Sequence, residues 1–336
     1  MIGNETRPVT PLDLPLVRRV IPQGLPLDVA SALARGMPGL EDVLLSSVPL
    51  ADLGAPTLVL RNGDGGYVGQ FRQPADKTLA YLTFVAPEPQ ESDLPTWAHL
   101  LDAVVFEAGK RGAHRINAEV PQDHAIFQAF RLAGFAVYSR QVILRRDPGP
   151  VAGGDPGLLR PEGDQDAIAI STLHANTVPR LLQQVEPLPM PDWSGLVYER
   201  EGHVAGYLAV MQGKCGVVIR PYFHPEVYDQ TAAIILAALT HLPRAEHLPV
   251  YLYARSYQDW LRDVLDRVEF TPWTHQALLV KDTRVRVERM ETVALPGLEP
   301  NRLRPPVADG PLPFRKFSLL LRQKDRQSRS KQNGKY

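Results

Sequence analysis

The stretch EAGKRGAHRINAEVPQDHAIFQAFRLAGF, residues 107–135, decides the reading of this chain. Ile116, Ala118 and Val120 alternate, as they do along a strand with one buried face. Asp123 stands where a cap would open a helix carrying Ile126, Phe127 and Phe130 on one side. Gly134 ends that helix, and Phe135 opens a strand expected to run to about Leu144. Upstream, Trp97, Leu100, Leu101, Val104, Val105 and Ala108 recur at helical spacing. Before them lie an acidic, proline-broken loop from Ala86 to Pro95 and a strand from Leu79 to Val85.

The same order returns later in the chain. Val217–Tyr222 reads as a strand, His224–Gln230 as a loop, and Thr231–Leu242 as a helix apolar nearly all round. Val250–Tyr253 follows as a strand, and Tyr257, Trp260, Leu261, Val264, Leu265 and Val268 form a helical stripe beginning near Ser256. Phe270 opens the closing strand, which Gln276–Val280 continues or pairs with. Three spacings tie the copies together. Arg7-Pro8 stands six positions before Asp13, and Arg160-Pro161 six before Asp166. Leu100-Leu101 precedes Gly134-Phe135 by the same interval that separates Ile235-Leu236 from Glu269-Phe270. We read an internal duplication. Residues 1–146 are expected to form one α/β domain and residues 160–290 a second. Between them lies a Gly/Pro-rich linker, 147–159, and after them an extended segment with a basic tail, 291–336.

The series from Leu79 to Arg146 resembles the GNAT superfamily of N-acetyltransferases. The resemblance rests on the opening Arg7-Pro8…Asp13, on Glu107–Val120, and on the helix ending Arg131-Leu132-Ala133-Gly134-Phe135. It implies two tandem GNAT-like acyl-CoA N-acyltransferase domains, each a mixed twisted α/β sheet flanked by helices. Acetyl-CoA would lie in a gap where the central strands splay apart, and the acceptor would be an unknown primary amine of a small molecule or peptide.

Family members carry a loop of the form V-x-P-x-x-R-G-x-G-x-G/A before the long helix. Its glycines let backbone N–H groups cradle a pyrophosphate at a helix N-terminus. The second half aligns Phe223, Tyr228, Asp229, Gln230, Thr231, Ala232 and Ala233 with this loop. Tyr228 falls at the arginine position, Asp229 and Thr231 fall at glycine positions, and Ala233 fits the last small one. The first half aligns Val85-Ala86-Pro87 and then carries Glu88, Glu91 and Asp93, which would each repel a pyrophosphate by roughly 1 kcal/mol at short range. Phe130 and Leu265 stand where many members place an acidic tyrosine. Tyr138, Tyr257 and Tyr253 are the remaining hydroxyl donors, and Glu119, at a strand end, is the carboxylate that could accept a proton from an amine. An alternative reading is a non-catalytic GNAT-fold binding or scaffold protein, in which bulky groups such as Phe223, Tyr228 or Trp97 would fill the gap.

Composition narrows the field. Hydrophobic residues make up 44% and charged residues 22%, with a formal net charge of zero, so no whole-molecule field selects nucleic acid or anionic membrane. One cysteine, Cys215, allows neither a disulfide within the chain nor a thiolate zinc cluster. The scattered histidines form no H-E-x-x-H, and no metal site is expected. Asn62–Gly66 reads as a hairpin turn rather than a phosphate loop, because Val68 stands where the third glycine of G-x-G-x-x-G would be. No apolar run is long enough to span a bilayer and no leader is visible, so a cytoplasmic location is expected. Residues Phe314–Tyr336 hold eight Lys or Arg against Asp325. This basic tail reads either as a weak contact to RNA or an anionic surface or as a solubilising segment.

Overall fold

The computed structural model describes residues 6–37, 55–62, 65–74, 78–186, 188 and 192–283. The segment 291–336, with its basic tail, lies outside them. The first half runs β1 (Thr6–Pro8), α1 (Leu14–Val20), β2 (Leu25–Pro26), α2 (Val29–Arg35), β3 (Thr57–Asn62), β4 (Gly65–Arg72), β5 (Leu79–Ala86), α3 (Leu94–Lys110), β6 (Arg115–Pro121), α4 (Ala125–Leu132) and β7 (Ala136–Arg146). The second runs β8 (Arg160–Pro161), α5 (Ala167–Thr177), α6 (Arg180–Val185), β9 (Ser194–Arg200), β10 (His203–Gln212), β11 (Val217–Phe223), α7 (Thr231–His241), β12 (Val250–Arg255), α8 (Leu261–Arg267) and β13 (Thr271–Asp282).

The strands form one mixed sheet in the order β1-β3-β4-β5-β6-β13-β7-β12-β11-β10-β9-β8, with β2 beside β5. Each half has one parallel pair joined by a helical crossover, β5 with β6 through α3 and β11 with β12 through α7. Both pairs stay in register for three residues, ending at Tyr81↔Asn117 and Ile219↔Leu252, and then splay. The closing strands change places: β13 lies between β6 and β7, and β7 lies between β13 and β12. The two halves therefore share a seam of paired backbone. All described residues fall in one compact unit, Met1–Val285.

The duplicated spacings have physical counterparts. Arg7 grips Asp13 with two bonds of 2.6 and 2.9 Å, and Arg160 grips Asp166 with two of 2.6 and 2.8 Å. The same carboxylates accept the Thr10 and Gly163 N–H groups at the start of each first helix. Gly134 and Glu269, at matching positions, both adopt left-handed φ, +77° and +65°. Burial raises the Asp13 carboxyl, but hydrogen bonds from Arg7, Thr10 and Arg61 outweigh it and hold the group well below the carboxylate range. The Asp166 carboxyl, bonded to Arg160 and the Gly163 N–H, is held at about 2. A depressed carboxyl stabilises the fold above its unfolded pKa, and that stability is lost as pH falls through the folded one. Asp166→Asn is therefore expected to lose roughly 2 kcal/mol at pH 7 and to show a flatter stability curve between pH 4 and 2, read by urea unfolding.

Two large cores lie under the halves. In the first, the α3 stripe Trp97, Leu100, Leu101 and Val104 is fully buried against β4, β5 and β6. Each such side chain contributes roughly 1.5–3 kcal/mol. A third cluster crosses between the halves, with Val29, Ala30 and Ala34 of α2 packing on Met211, Val218, Tyr251 and Tyr253. Three local expectations change. The cap of α4 is His124, whose Nδ1 accepts the Ile126 N–H, rather than Asp123. His224–Gln230 is no open loop, because Pro225–Gln230 form a 3₁₀ helix running into α7. Trp97 is a core residue edge-on to Tyr67 and does not fill a strand gap.

Candidate functional site

The first gap, between β5 and β6, holds the chain's own backbone. Strand β4 occupies one side of β5, so β2 pairs on the other, with Leu25↔Val85 and Pro26↔Phe84. The register of β5 with β4 skips Thr83. Its freed carbonyl accepts the Leu27 and Asp28 N–H groups at 2.9 and 3.2 Å. The Leu27 carbonyl accepts the Glu119 N–H of β6 at 3.2 Å. Leu25–Asp28 thus bridge both splayed strands, with Leu27 buried in the core beneath. Gly24 makes the close entry to this strap possible. A Cβ there would lie 1.9 Å from the Phe84 ring and 2.8 Å from the Val85 carbonyl. Gly24→Ala is expected to lift the strap and cost roughly 1–3 kcal/mol, measured by urea unfolding.

The second gap, between β11 and β12, is closed by side chains. The Val217 N–H donates toward β12 and the His224 N–H toward β10, so odd-numbered residues of β11 face the gap. Beyond Ile219 these are Pro221 and Phe223. Pro221 has no N–H, and its carbonyl accepts the Gln258 Nε2 at 2.7 Å. Gln258 Oε1 in turn accepts the Arg255 N–H at 3.1 Å, making this buried side chain a rung between the arms. At the mouth, Tyr228 stacks on Trp260 with ring centroids 3.7 Å apart, and Phe223 meets Trp260 edge-on.

The cofactor candidates Phe223, Tyr228, Asp229, Gln230, Thr231, Ala232 and Ala233 are contiguous along the end of β11, the 3₁₀ helix and the start of α7. Their N–H groups enter a helical pattern rather than a cradle. Thr231 N–H donates to the Tyr228 carbonyl, and Thr231 Oγ1 to the Val227 carbonyl. Gln230 accepts the Tyr198 hydroxyl. In the first half, Glu88, Glu91 and Asp93 stand at or near the surface, Glu88 paired with His124 at 3.0 Å. Neither set fits acetyl-CoA as arranged. One gap is already hydrogen-bonded to protein, and the other lacks the facing donor at Pro221.

Two of the three catalytic candidates share a cavity of about 80 Å³ beside the first gap. Glu119 and Tyr138 line it, and Tyr257 lines a smaller neighbouring one. The sheet curls until Arg220 of β11 reaches Glu119 of β6, Nη2 to Oε1 at 2.8 Å, although three strands separate them in the order. Burial pushes the Glu119 carboxyl up, and Arg220 holds it back. The Tyr138 hydroxyl donates to Glu186 at 2.5 Å, and burial, then Glu186, push its phenol far up. Glu186 also accepts Arg255 at 2.6 Å. Burial likewise raises Tyr257 and Tyr253. These phenols are held protonated.

Sequence reasoning missed Arg220, Glu186, Arg255, Asp28 and the Leu25–Asp28 strap. Arg220 alone left a trace, as the one charge inside the apolar run Val217–Phe223. Among the described residues no group of His, Cys, Asp or Glu could hold a metal ion, and no helix is long and apolar enough to cross a membrane.

No family model matches the sequence, and no curated protein matches it. Solved structures do. A GCN5-related N-acetyltransferase from Sphaerobacter thermophilus matches at TM-score 0.51 and 14% identity, over 84% of this chain and 96% of its own. A tandem GNAT protein from the clavulanic acid biosynthesis pathway matches at 0.52 and 16%, over 84% and 99%. With the duplicated plan, the twin parallel pairs and their splayed ends, these likenesses identify the fold of this chain as that of the tandem GNAT proteins.

Proposed function

We propose that this chain is a GNAT-fold binding protein that has lost the cofactor grip, with its ligand site in the cavity beside Glu119. The observation that carries this reading is the hydrogen bonding of Leu25–Asp28 to both arms of the first gap, matched by the Gln258 rung in the second. A pantetheine chain would have to displace one or the other. Hydrogen–deuterium exchange of Leu25–Asp28 and of the peptide holding Gln258 tests it. Millimolar acetyl-CoA is expected to leave both unchanged, and protection or release of either would contradict the proposal. The halves 1–146 and 160–290, joined by 147–159, act in this reading as one unit, because each supplies the other's closing strand. A cytoplasmic location belongs to the same proposal, as does a contact of the basic tail with RNA or an anionic surface.

A second reading is N-acyl transfer from acetyl-CoA to a primary amine of a small molecule or peptide. It is favoured by the likeness to proteins named N-acetyltransferases and by the largely covered Glu119, whose raised pKa suits proton transfer. Thiol release from acetyl-CoA in the presence of a panel of primary amines, above the rate without them, would select it over the first.

A further inference from the structure

The cavity between the halves is a built polar site with a particular deficit. Three carboxylates line it, and each already faces an arginine: Asp28 with Arg72 at 3.1 Å, Glu119 with Arg220 at 2.8 Å and Glu186 with Arg255 at 2.6 Å. The charges therefore balance, and an added ion would be buried without a counter-charge, which is costly.

Two acceptors in its wall stand without a donor. Glu119 Oε2 and Asn117 Oδ1 are both buried and accept no hydrogen bond. Asn117 is only 4% exposed, its amide fixed by donation to the Val185 carbonyl at 3.1 Å, so its oxygen cannot be exchanged for a donor by a flip without losing that bond. The two residues stand two apart on β6, on the same face and roughly 7 Å apart along the strand. A small head group with two divergent N–H bonds offers one donor to each acceptor. The Tyr81 hydroxyl, on the neighbouring strand β5, also lines the space and can donate to a carbonyl. The rest of the wall is apolar, made by Leu27, Leu82, Met211 and Trp193.

We infer that this cavity binds a small neutral molecule with a carboxamide or urea head on a flat apolar body. The N–H groups go to Glu119 and Asn117, the carbonyl to Tyr81, and the body lies against Leu82, Met211 and Trp193. Neutral amides satisfy the orphaned acceptors without disturbing three balanced ion pairs. A protonated amine of the same shape would add a fourth positive charge, and a carboxylate would face the acceptors with more acceptors.

The inference rests on the binding-protein reading, in that the ligand is held and not acylated. Its test is separate, because acetyl-CoA reads the strand gaps and amides read the cavity. Calorimetric titration of the full chain with benzamide and phenylurea, beside benzylamine and benzoate as charged isosteres, is decisive. Saturable binding of a neutral amide at least tenfold tighter than either ion is expected. Glu119→Gln is expected to weaken it tenfold or more, and Ala30→Leu, which fills the cavity from α2, to abolish it, with urea unfolding confirming that both variants fold. If Glu119→Gln fails to fold, Ala30→Leu and the isostere series decide alone. Absence of saturable binding by either amide would mean the acceptors are satisfied by water only and would overturn the inference. Benzylamine binding as tightly as benzamide would overturn it too.

Discussion

Arg220→Ala is expected to cost about 3 kcal/mol, the lower end of the range for removing one partner of a buried ion pair, because both side chains keep about a sixth of their surface exposed. Arg220 is held between halves: its guanidinium lies 4.9 Å from the Trp193 ring and 5.0 Å from the Tyr253 ring while it donates to Glu119. Truncation leaves the largely covered Glu119 carboxylate with neither oxygen bonded, since Oε2 already has no partner. The sign of the pH dependence follows. Burial already raises the Glu119 pKa, and Arg220 is the largest influence lowering it. Without Arg220 the folded carboxyl rises further above its unfolded value, so the folded state holds more protons and stability falls as pH rises. The deficit of the variant should therefore shrink from pH 7 to pH 5, read by urea unfolding at both. Arg220→Lys should recover only part, because lysine keeps the charge but not the planar stacking. A loss below about 1 kcal/mol that does not change with pH would show that the pair behaves as an exposed one.

Gly213→Ala is expected to destabilise by about 3 kcal/mol, at the upper end for overpacking. A Cβ at Gly213 would lie 2.0 Å from the Ala34 carbonyl oxygen, 2.4 Å from its carbon and 3.0 Å from the Arg35 nitrogen. All three are backbone atoms at the end of α2, so no side-chain rotation relieves the clash. The neighbouring contacts are equally close. Cys215 N–H donates to the Ala34 carbonyl at 2.9 Å, and a Cβ at Gly216 would lie 2.8 Å from the Leu33 carbonyl. The hairpin after β10 must retreat from α2, opening the cluster of Ala30, Ala34, Met211 and Val218 that joins the halves. Gly149→Ala, with nothing within 4 Å of its Cβ, is the control and should stay within about 0.5 kcal/mol. Unfolding midpoints of the two variants in urea, compared at equal m-value, give the answer.

Much of the fold was legible because its signals are local. The α3 stripe, the alternation of Ile116, Ala118 and Val120, and the left-handed turn at Gly134 are fixed by neighbours a few residues away. Glu269 is instructive. It matches Gly134 by spacing and adopts the same left-handed backbone, which its residue type did not announce. The exchange of β7 and β13 was not legible, because a closing strand reads the same whether it pairs within its own half or with the other. The strap was hidden for a different reason. Leu25-Pro26 looks like any of the many Leu-Pro steps in a chain with 32 prolines, and only the splay of β5 gives it a partner. Of the candidate site, Glu119 and Tyr138 were legible as residue types on expected strands. The network around them was not, since Arg220 lies 101 positions from Glu119 and Glu186 lies 48 from Tyr138. The missing glycines of the cofactor loop were visible in the sequence, whereas the Gln258 rung was not.

Calorimetric titration of the full chain with acetyl-CoA tests the central claim, that both strand gaps are held by the protein itself. The account predicts no saturable heat up to millimolar ligand, corresponding to binding weaker than about −4 kcal/mol. A dissociation constant of micromolar order, about −8 kcal/mol, would contradict it, since such affinity requires Leu25–Asp28 or Gln258 to give up its place.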